Sequence, residues 1–249
     1  MDDLAPPPAD LLRDASLFLD FDGTLVAIAE TPDAVEVAAR VPALLERLSR
    51  ALDGRVAIVT GRPVKEVRAL LAPAALVVAG SHGLEMADSA GTIEAPDRPA
   101  ALDTVLAAAH DLARDHPGML IEDKPFGVGL HYRRAPAAGA AAGALADDLA
   151  QAYGLIVQRG KMVVELRLAG RDKGAAVERL MAEPGRRAKR PVFMGDDVTD
   201  EAGFRAVRAM GGAGVLVGAL RDSDAVYRLD DVTAVLDWLD EAARQIGRP

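Results

Sequence analysis

The sequence predicts an α/β fold in two parts: a core built on a parallel sheet, and a small inserted α/β domain of antiparallel strands with two helices. Three observations carry this. Short apolar runs such as Leu17-Phe18-Leu19 stop abruptly at polar turns and alternate with stretches of helical spacing, the grammar of β-α-β units. Between residues 91 and 169 this grammar gives way to strand pairs joined too closely to be parallel. From residue 170 the β-α-β pattern resumes, so the expected division is 1–90 and 170–249 for the core and 91–169 for the insert.

Residues 1–15 read as a loose, proline-rich lead-in. The first strand, Leu17 to Leu19, runs into Asp20-Phe21-Asp22-Gly23-Thr24. Alternation puts Asp20 and Asp22 on one side, with Phe21 turned away. Gly23 permits a tight turn whose amides, with the Thr24 hydroxyl, suit a phosphate oxygen. A lone Asp-Gly closes many strands, but a second aspartate two residues earlier adds a repulsion that a hard cation relieves. Thr31-Pro32-Asp33 punctuates, Val41 to Leu52 has helical spacing, and Arg55 to Thr60 is a second strand ending in Thr60-Gly61-Arg62. Ligands in parallel sheets sit beyond the carboxyl ends of the strands, which places Thr60-Gly61-Arg62 beside Asp20, with Thr60 a catalytic candidate and Gly61 and Arg62 substrate-binding candidates. A helix from Val64 to Leu71 and a strand from Ala75 to Ala79 follow, then Gly80-Ser81-His82-Gly83, where His82 reads as a brace.

In the insert, Asp97 to His116 is an amphipathic helix and Pro136 to Tyr153 an alanine-rich one. Strands are expected at Met119–Asp123, Phe126–Arg134, Leu155–Gln158 and Lys161–Leu168, the last two joined by a tight turn at Arg159-Gly160. Their alternation collects Glu122, Lys124, His131, Arg133, Lys161 and Glu165 on one face. Taken singly, each charge could belong to a solvated face. Together they form the mixed donor and acceptor array that a polyhydroxylated sugar demands. Back in the core, Arg171-Asp172-Lys173-Gly174 opens a helix with a lysine in its first turn, against the macrodipole. The strand Pro191 to Gly195 ends in Asp196-Asp197, with Asp200-Glu201 opening the next helix, where acids suit the dipole. A strand at Gly214–Val217 and a closing helix at Val232–Ile246 complete the chain.

The composition fits an ordinary globular protein, with 27% charged and 50% hydrophobic residues. A net charge of −9 argues against a nucleic-acid surface, and the absence of cysteine excludes disulfides and thiol chemistry. No run approaches the ~18 apolar residues of a membrane span, and the N-terminus lacks the features of a signal peptide. A cytoplasmic monomer without nucleic-acid or membrane partners is expected.

DFDGTL resembles the first motif of the haloacid dehalogenase (HAD) superfamily of phosphatases and phosphotransferases. The resemblance implies a HAD-like Rossmannoid core in which Asp20 is the phosphoryl-accepting nucleophile and Asp22 the general acid/base. Thr60 is similar to the second-motif hydroxyl, and Lys173 to the third-motif cation. Asp196, in GDDxTDE, is similar to the fourth-motif ligand. The implied cofactor is Mg²⁺, held by Asp20, Asp22 and Asp196 with support from Asp197 and Asp200. IEDKPFGVGLHYR, GKMVVELR and GSHGLE further resemble segments of the trehalose-6-phosphate phosphatases, whose cap closes over the disaccharide. Sugar-binding cap residues of that family match Glu122, Lys124, Arg133, Lys161 and Glu165, while Pro125, Gly127 and Gly129 depart from it. The implied reaction is hydrolysis of trehalose 6-phosphate. A phosphatase acting on sucrose phosphate or a mannosyl phosphoglycerate is an alternative, as is a silent sugar-phosphate-binding module, against which the presence of both Asp20 and Asp22 speaks.

Overall fold

The computed structural model describes residues 4–247 except 30, 32, 33, 73 and 188, so Pro32 and Asp33 of the expected punctuation lie outside the described residues. The chain divides into two compact units, residues 1–95 with 171–249, and residues 96–170. No described helix is long and apolar enough to cross a membrane.

The first unit is built on β1 (Ala15–Leu19), β2 (Val56–Val59) and β3 (Val77–Gly80), followed by β4 (Glu85–Ala87) and β5 (Ile93–Glu94). After the insert come β10 (Arg190–Gly195), β11 (Ala213–Val217) and β12 (Tyr227–Leu229). They form one sheet in the order β12-β11-β10-β1-β2-β3-β4-β5. Pairing is parallel from β12 to β3 and antiparallel at β3–β4 and β4–β5. The chain winds outward from β1 through β2 and β3, and on the other side from β10 through β11. The order therefore reverses between β1 and β10, where a ligand crevice is expected in such sheets.

Alternation along β1 builds both layers. Leu17 and Leu19 point into the core shared with α1 (Arg40–Ala51) and α7 (Val232–Ile246), while Phe18 points into the one shared with α5 (Lys173–Met181) and α6 (Glu201–Ala209). One more alternation puts Asp20 on the α5/α6 side, while Phe21 is buried in the α1/α7 core. A short helix, α2 (Val64–Leu70), follows β2.

Two expectations about the first unit need correction. The lead-in is not loose from residue 4 onward. Leu11 and Leu12 join the core, the Ala5 carbonyl accepts from the Arg228 amide at 3.0 Å, and the Pro7 carbonyl accepts from Trp238 Nε1 at 3.0 Å. Ile93 and Glu94, read as belonging to the insert, pair with β4 as the edge of the larger sheet.

The second unit holds α3 (Ala101–Asp115), β6 (Leu120–Lys124), β7 (Gly127–His131), α4 (Gly139–Tyr153), β8 (Ile156–Gly160) and β9 (Val163–Arg167). Its four strands run antiparallel in the order β6-β7-β9-β8. Val128, Leu130, Val164 and Leu166 pack one face with Leu102, Val105 and Ala109 of α3 and Ala142 and Ala146 of α4. Arg159-Gly160 is not the hairpin turn. Gly160 pairs with Val163 as the last strand residue, and the turn is Lys161-Met162, with Met162 at φ 64°. A methionine with positive φ leaves no local signal to outbid an Arg-Gly pair.

Candidate active site

The strands end where the chemistry begins. The Asp20 amide donates to the Met194 carbonyl at 2.9 Å, which holds the end of β1 beside the end of β10 and brings Asp20 alongside Asp196. Two helix starts converge on the same place. Asp172 caps α5 by accepting from the Ala175 amide at 2.8 Å, so Lys173 begins the helix facing inward. A 3₁₀ turn at Val198–Asp200 leads into α6 through a reciprocal cap, in which the Asp197 amide donates to Asp200 Oδ2 at 2.9 Å.

Lys173 Nζ lies 2.7 Å from Asp20 Oδ1 and 2.6 Å from Asp200 Oδ1, with Lys173 and Asp20 each 4% exposed and Asp200 wholly buried. Among the described residues, the acids whose oxygens meet within 4.8 Å of one another are Asp20, Asp196 and Asp200. Two glycines make this convergence possible. A Cβ on Gly23, at φ +80°, would lie 2.1 Å from Asp196 Oδ2, and one on Gly195 would lie 2.3 Å from Asp200 Cγ.

Electrostatics follow from the crowding. Burial, reinforced by Asp200 and Asp196 and opposed by Lys173, raises the Asp20 carboxyl well above the usual carboxylate range. Asp196 is pushed up to about 7 by burial and by Asp200. Burial disfavours the Lys173 ammonium, but Asp20 and Asp200 outweigh it and hold its pKa above the ordinary lysine value. Ionised, three carboxylates against one ammonium leave a buried deficit of two positive charges. Asp196 Oδ1 is buried without a hydrogen-bond partner, while both Asp200 oxygens are engaged. These donors suit a hard cation with oxygen ligands.

Asp22 stands differently. Its Oδ2 and Oδ1 accept from Arg62 Nε and Nη2 at 2.7 and 2.9 Å, so a bidentate pair aims this carboxylate and occupies the arginine expected to bind substrate. Asp22 lies outside the converging acid group, and Asp200 takes the third place there. The amides of Gly23 and Thr24 are used within the turn after β1. Gly23 donates to the Val26 carbonyl at 2.7 Å and Thr24 to that of Phe21 at 3.4 Å. Thr24 is fully buried, with no partner for its hydroxyl, so Gly23 and Thr24 do not present the donors expected of them toward a phosphate. Thr60 is 1% exposed, and its Oγ1 accepts from the Arg62 amide at 3.1 Å. Ser81 and His82, at φ 48° and 56°, donate their amides to the carbonyls of Arg62 and Thr60 at 2.9 Å each, and His82 lies against Gly61.

Sequence reasoning missed a further tie. Arg221 pairs with Glu201 and donates from Nη2 to the Asp197 carbonyl at 2.8 Å, tethering the loop after β10. The only local hint is its place beyond the carboxyl end of β11.

In the second unit, Glu122, Lys124, His131, Glu165 and Arg167 share the sheet face opposite the helices. Lys124 Nζ is 2.6 Å from Glu165 Oε2, His131 Nε2 is 2.8 Å from Glu122 Oε2, and Arg167 Nε is 2.9 Å from Gln158 Oε1. Arg133 and Lys161 do not share the strand face. Arg133 follows the end of β7 and Lys161 stands at the tip of the hairpin turn, both exposed.

The chain matches the model of the family described as Trehalose-phosphatase over residues 18–233. It is 36% identical over 225 residues to "Trehalose-6-phosphate phosphatase" of Escherichia coli K12, covering 90% of this chain and 84% of that protein. It is 40% identical over 205 residues to "Probable trehalose-phosphate phosphatase" of Sinorhizobium fredii, covering 82% and 77%. Among solved structures, the C-terminal domain of Candida albicans trehalose-6-phosphate phosphatase is similar in fold, with a TM-score of 0.83, 24% identity and 97% and 98% coverage. A HAD phosphatase from Bacteroides thetaiotaomicron shares the fold at a TM-score of 0.61 and 17% identity, covering 94% and 95%. With a HAD-like fold, strand ends that gather three acids around one lysine, and a family match across most of its length, the chain belongs to the trehalose-phosphatase family.

Proposed function

We propose that this protein hydrolyses trehalose 6-phosphate to trehalose and phosphate through an aspartyl-phosphate on Asp20, with Mg²⁺ as its metal. The supporting observation is the buried group of Asp20, Asp196, Asp200 and Lys173, two positive charges short of balance when its acids are ionised, in a chain whose relatives carry the name trehalose-6-phosphate phosphatase. Asp20 and Asp196 would hold the ion, which when bound supplies positive charge to the phosphoryl oxygens.

In the proposed sequence a carboxylate oxygen of Asp20 attacks phosphorus, and the bond from phosphorus to the sugar oxygen breaks as Asp22, which enters this step protonated with only one oxygen held by Arg62, gives its proton to that oxygen. Asp22 then takes a proton from water as the water attacks the aspartyl-phosphate, which returns the Asp20 carboxylate and releases phosphate. Lys173 holds Asp20 in place and offers its ammonium to the charge on the equatorial oxygens, while Asp200 keeps the ammonium there. Arg62 keeps Asp22 directed. Thr60 and Gly61 line the neighbouring strand end. The mixed charges of the second unit, Glu122, Lys124 and Glu165 on the sheet with Arg133 and Lys161 beside it, would read the sugar hydroxyls. Aligning and stabilising this reaction is the main requirement, because uncatalysed phosphate-monoester hydrolysis must be accelerated by up to ~10²¹.

Phosphate release should be measured across trehalose 6-phosphate, glucose 6-phosphate, sucrose 6-phosphate and a mannosyl phosphoglycerate, with and without excess EDTA. Preference for trehalose 6-phosphate and loss of turnover in chelator are expected. A preferred monosaccharide phosphate would overturn the substrate, and turnover surviving EDTA would overturn the metal.

A further inference from the structure

The polar face of the four-stranded sheet is bare where it should be most crowded. β7 lies between β6 and β9, and its two residues directly opposite Lys124 and Glu122 are Gly127 and Gly129. Side chains on β6 and β9 stand two strand spacings apart, about 10 Å at the backbone. An intervening side chain on β7 would ordinarily keep them separate. Here Lys124 of β6 reaches Glu165 of β9 at 2.6 Å, and a Cβ on Gly127 would lie 3.1 Å from Glu165 Oε1. The second pair crosses over the second glycine. His131 Nε2 and Glu122 Oε2 meet at 2.8 Å, and a Cβ on Gly129 would lie 3.2 Å from the one and 3.3 Å from the other. A carboxylate only accepts, so the imidazole Nε2 carries the proton and donates it.

Resting on the trehalose 6-phosphate reading above, we propose that His131 is a positioning residue for sugar recognition, which holds the Glu122 carboxylate over the bare backbone of Gly129 so that it meets the sugar hydroxyls already oriented. Glutamate is among the side chains that lose most rotamer freedom when ordered, and each such loss weakens binding. His131 removes that loss before the sugar arrives, and Gly129 leaves the space in which it does so. A neutral polyol is the matching ligand class, because Glu122, held by the imidazole at 2.8 Å and with the Lys124 ammonium 3.7 Å away, offers a hydroxyl an acceptor without demanding a further counter-charge. The role concerns the sugar and not the phosphoryl group, so it separates in KM from kcat.

The test compares the parent with His131→Ala, His131→Gln and Gly129→Val on two substrates, trehalose 6-phosphate and p-nitrophenyl phosphate, which has no sugar. His131→Ala should raise KM for trehalose 6-phosphate about tenfold, the scale of a lost hydrogen bond to a charged group, with kcat and p-nitrophenyl phosphate turnover within about twofold. His131→Gln, which keeps a donor, should recover most of the loss. A β-branched residue suits a central strand, so Gly129→Val should keep its melting temperature yet raise KM for the sugar phosphate alone. If His131→Ala keeps the parental KM, or loses both substrates equally, the inference fails while the proposed function stands. A parent that hydrolyses p-nitrophenyl phosphate but not trehalose 6-phosphate defeats both.

Discussion

Lys173→Met removes the ammonium from the acid cluster while keeping the bulk of the side chain. Lys173 is 4% exposed, and its Nζ contacts Asp20 at 2.7 Å and Asp200 at 2.6 Å. Deleting one partner of a buried ion pair leaves the other charge stranded, a loss of about 3–5 kcal/mol. In a chain of this length each kcal/mol shifts the melting temperature by roughly 2–4 °C, so a fall on the order of 10 °C is expected for the metal-free variant at pH 8. At pH 6 the fall should be smaller. Burial and mutual repulsion already raise the carboxyls of Asp20 and Asp196, and without Lys173 they take up protons more readily, which relieves the repulsion. Saturating Mg²⁺ should narrow the gap at either pH by restoring positive charge. Turnover should still drop by about 10²–10³, the usual scale for losing one preorganised stabilising group, measured as kcat on trehalose 6-phosphate at saturating metal. A variant with kcat within about threefold of the parent, and with the same thermal loss at pH 6 and pH 8, would refute the reasoning.

Three further outcomes can be checked. Asp196 is pushed up from 3.8 to about 7, so between those values the native state binds more protons than the unfolded one, and the metal-free protein should lose stability as pH rises through that window. At the proposed metal site Mg²⁺ would displace the same proton, so its apparent affinity should climb by up to about tenfold per pH unit below 7 and level off above. Thermal-shift titrations with Mg²⁺ from pH 5.5 to 8.5 measure both trends, and flat curves would contradict them. Gly23→Ala would set a methyl 2.1 Å from Asp196 Oδ2 at a backbone φ of +80°, so Asp196 has to move. We expect at least about a tenfold weaker Mg²⁺ half-saturation, read by the same shift assay. An unchanged half-saturation would refute it.

Strands β1, β2 and β10 of the larger sheet are legible because each is a run of apolar residues cut off by a carboxylate or hydroxyl, at Asp20, Thr60 and Asp196. The last helix is legible because its apolar stripe is regular from Val232 to Ile246. The short strands toward the sheet's two ends are not: β4, β5 and β12 have three, two and three residues, too short for a period to register. The hairpin tip was misread because Met162 takes a conformation that its residue type does not advertise. Within the site, contacts over long sequence separations were the hidden part. Nothing near Arg62 says that it will grip Asp22, 40 residues earlier, and nothing near Arg221 says that it will tether Asp197. Gly127 and Gly129 stood out in the sequence as oddities, and only the strand register shows what passes over them.

The placement of β1 has a bearing on how such a chain comes to life. Its neighbours are β2, built soon afterwards, and β10, built late, so Asp20 meets Lys173 across a separation of 153 residues. The hairpins of the four-stranded sheet close over spans of a few residues and can form during synthesis, whereas the long-range pairing of β1 with β10 comes last. A nascent or C-terminally clipped chain would thus carry a finished four-stranded sheet while Asp20 still lacked its lysine, and the assembled acid cluster would arrive in one step, with the final third of the polypeptide.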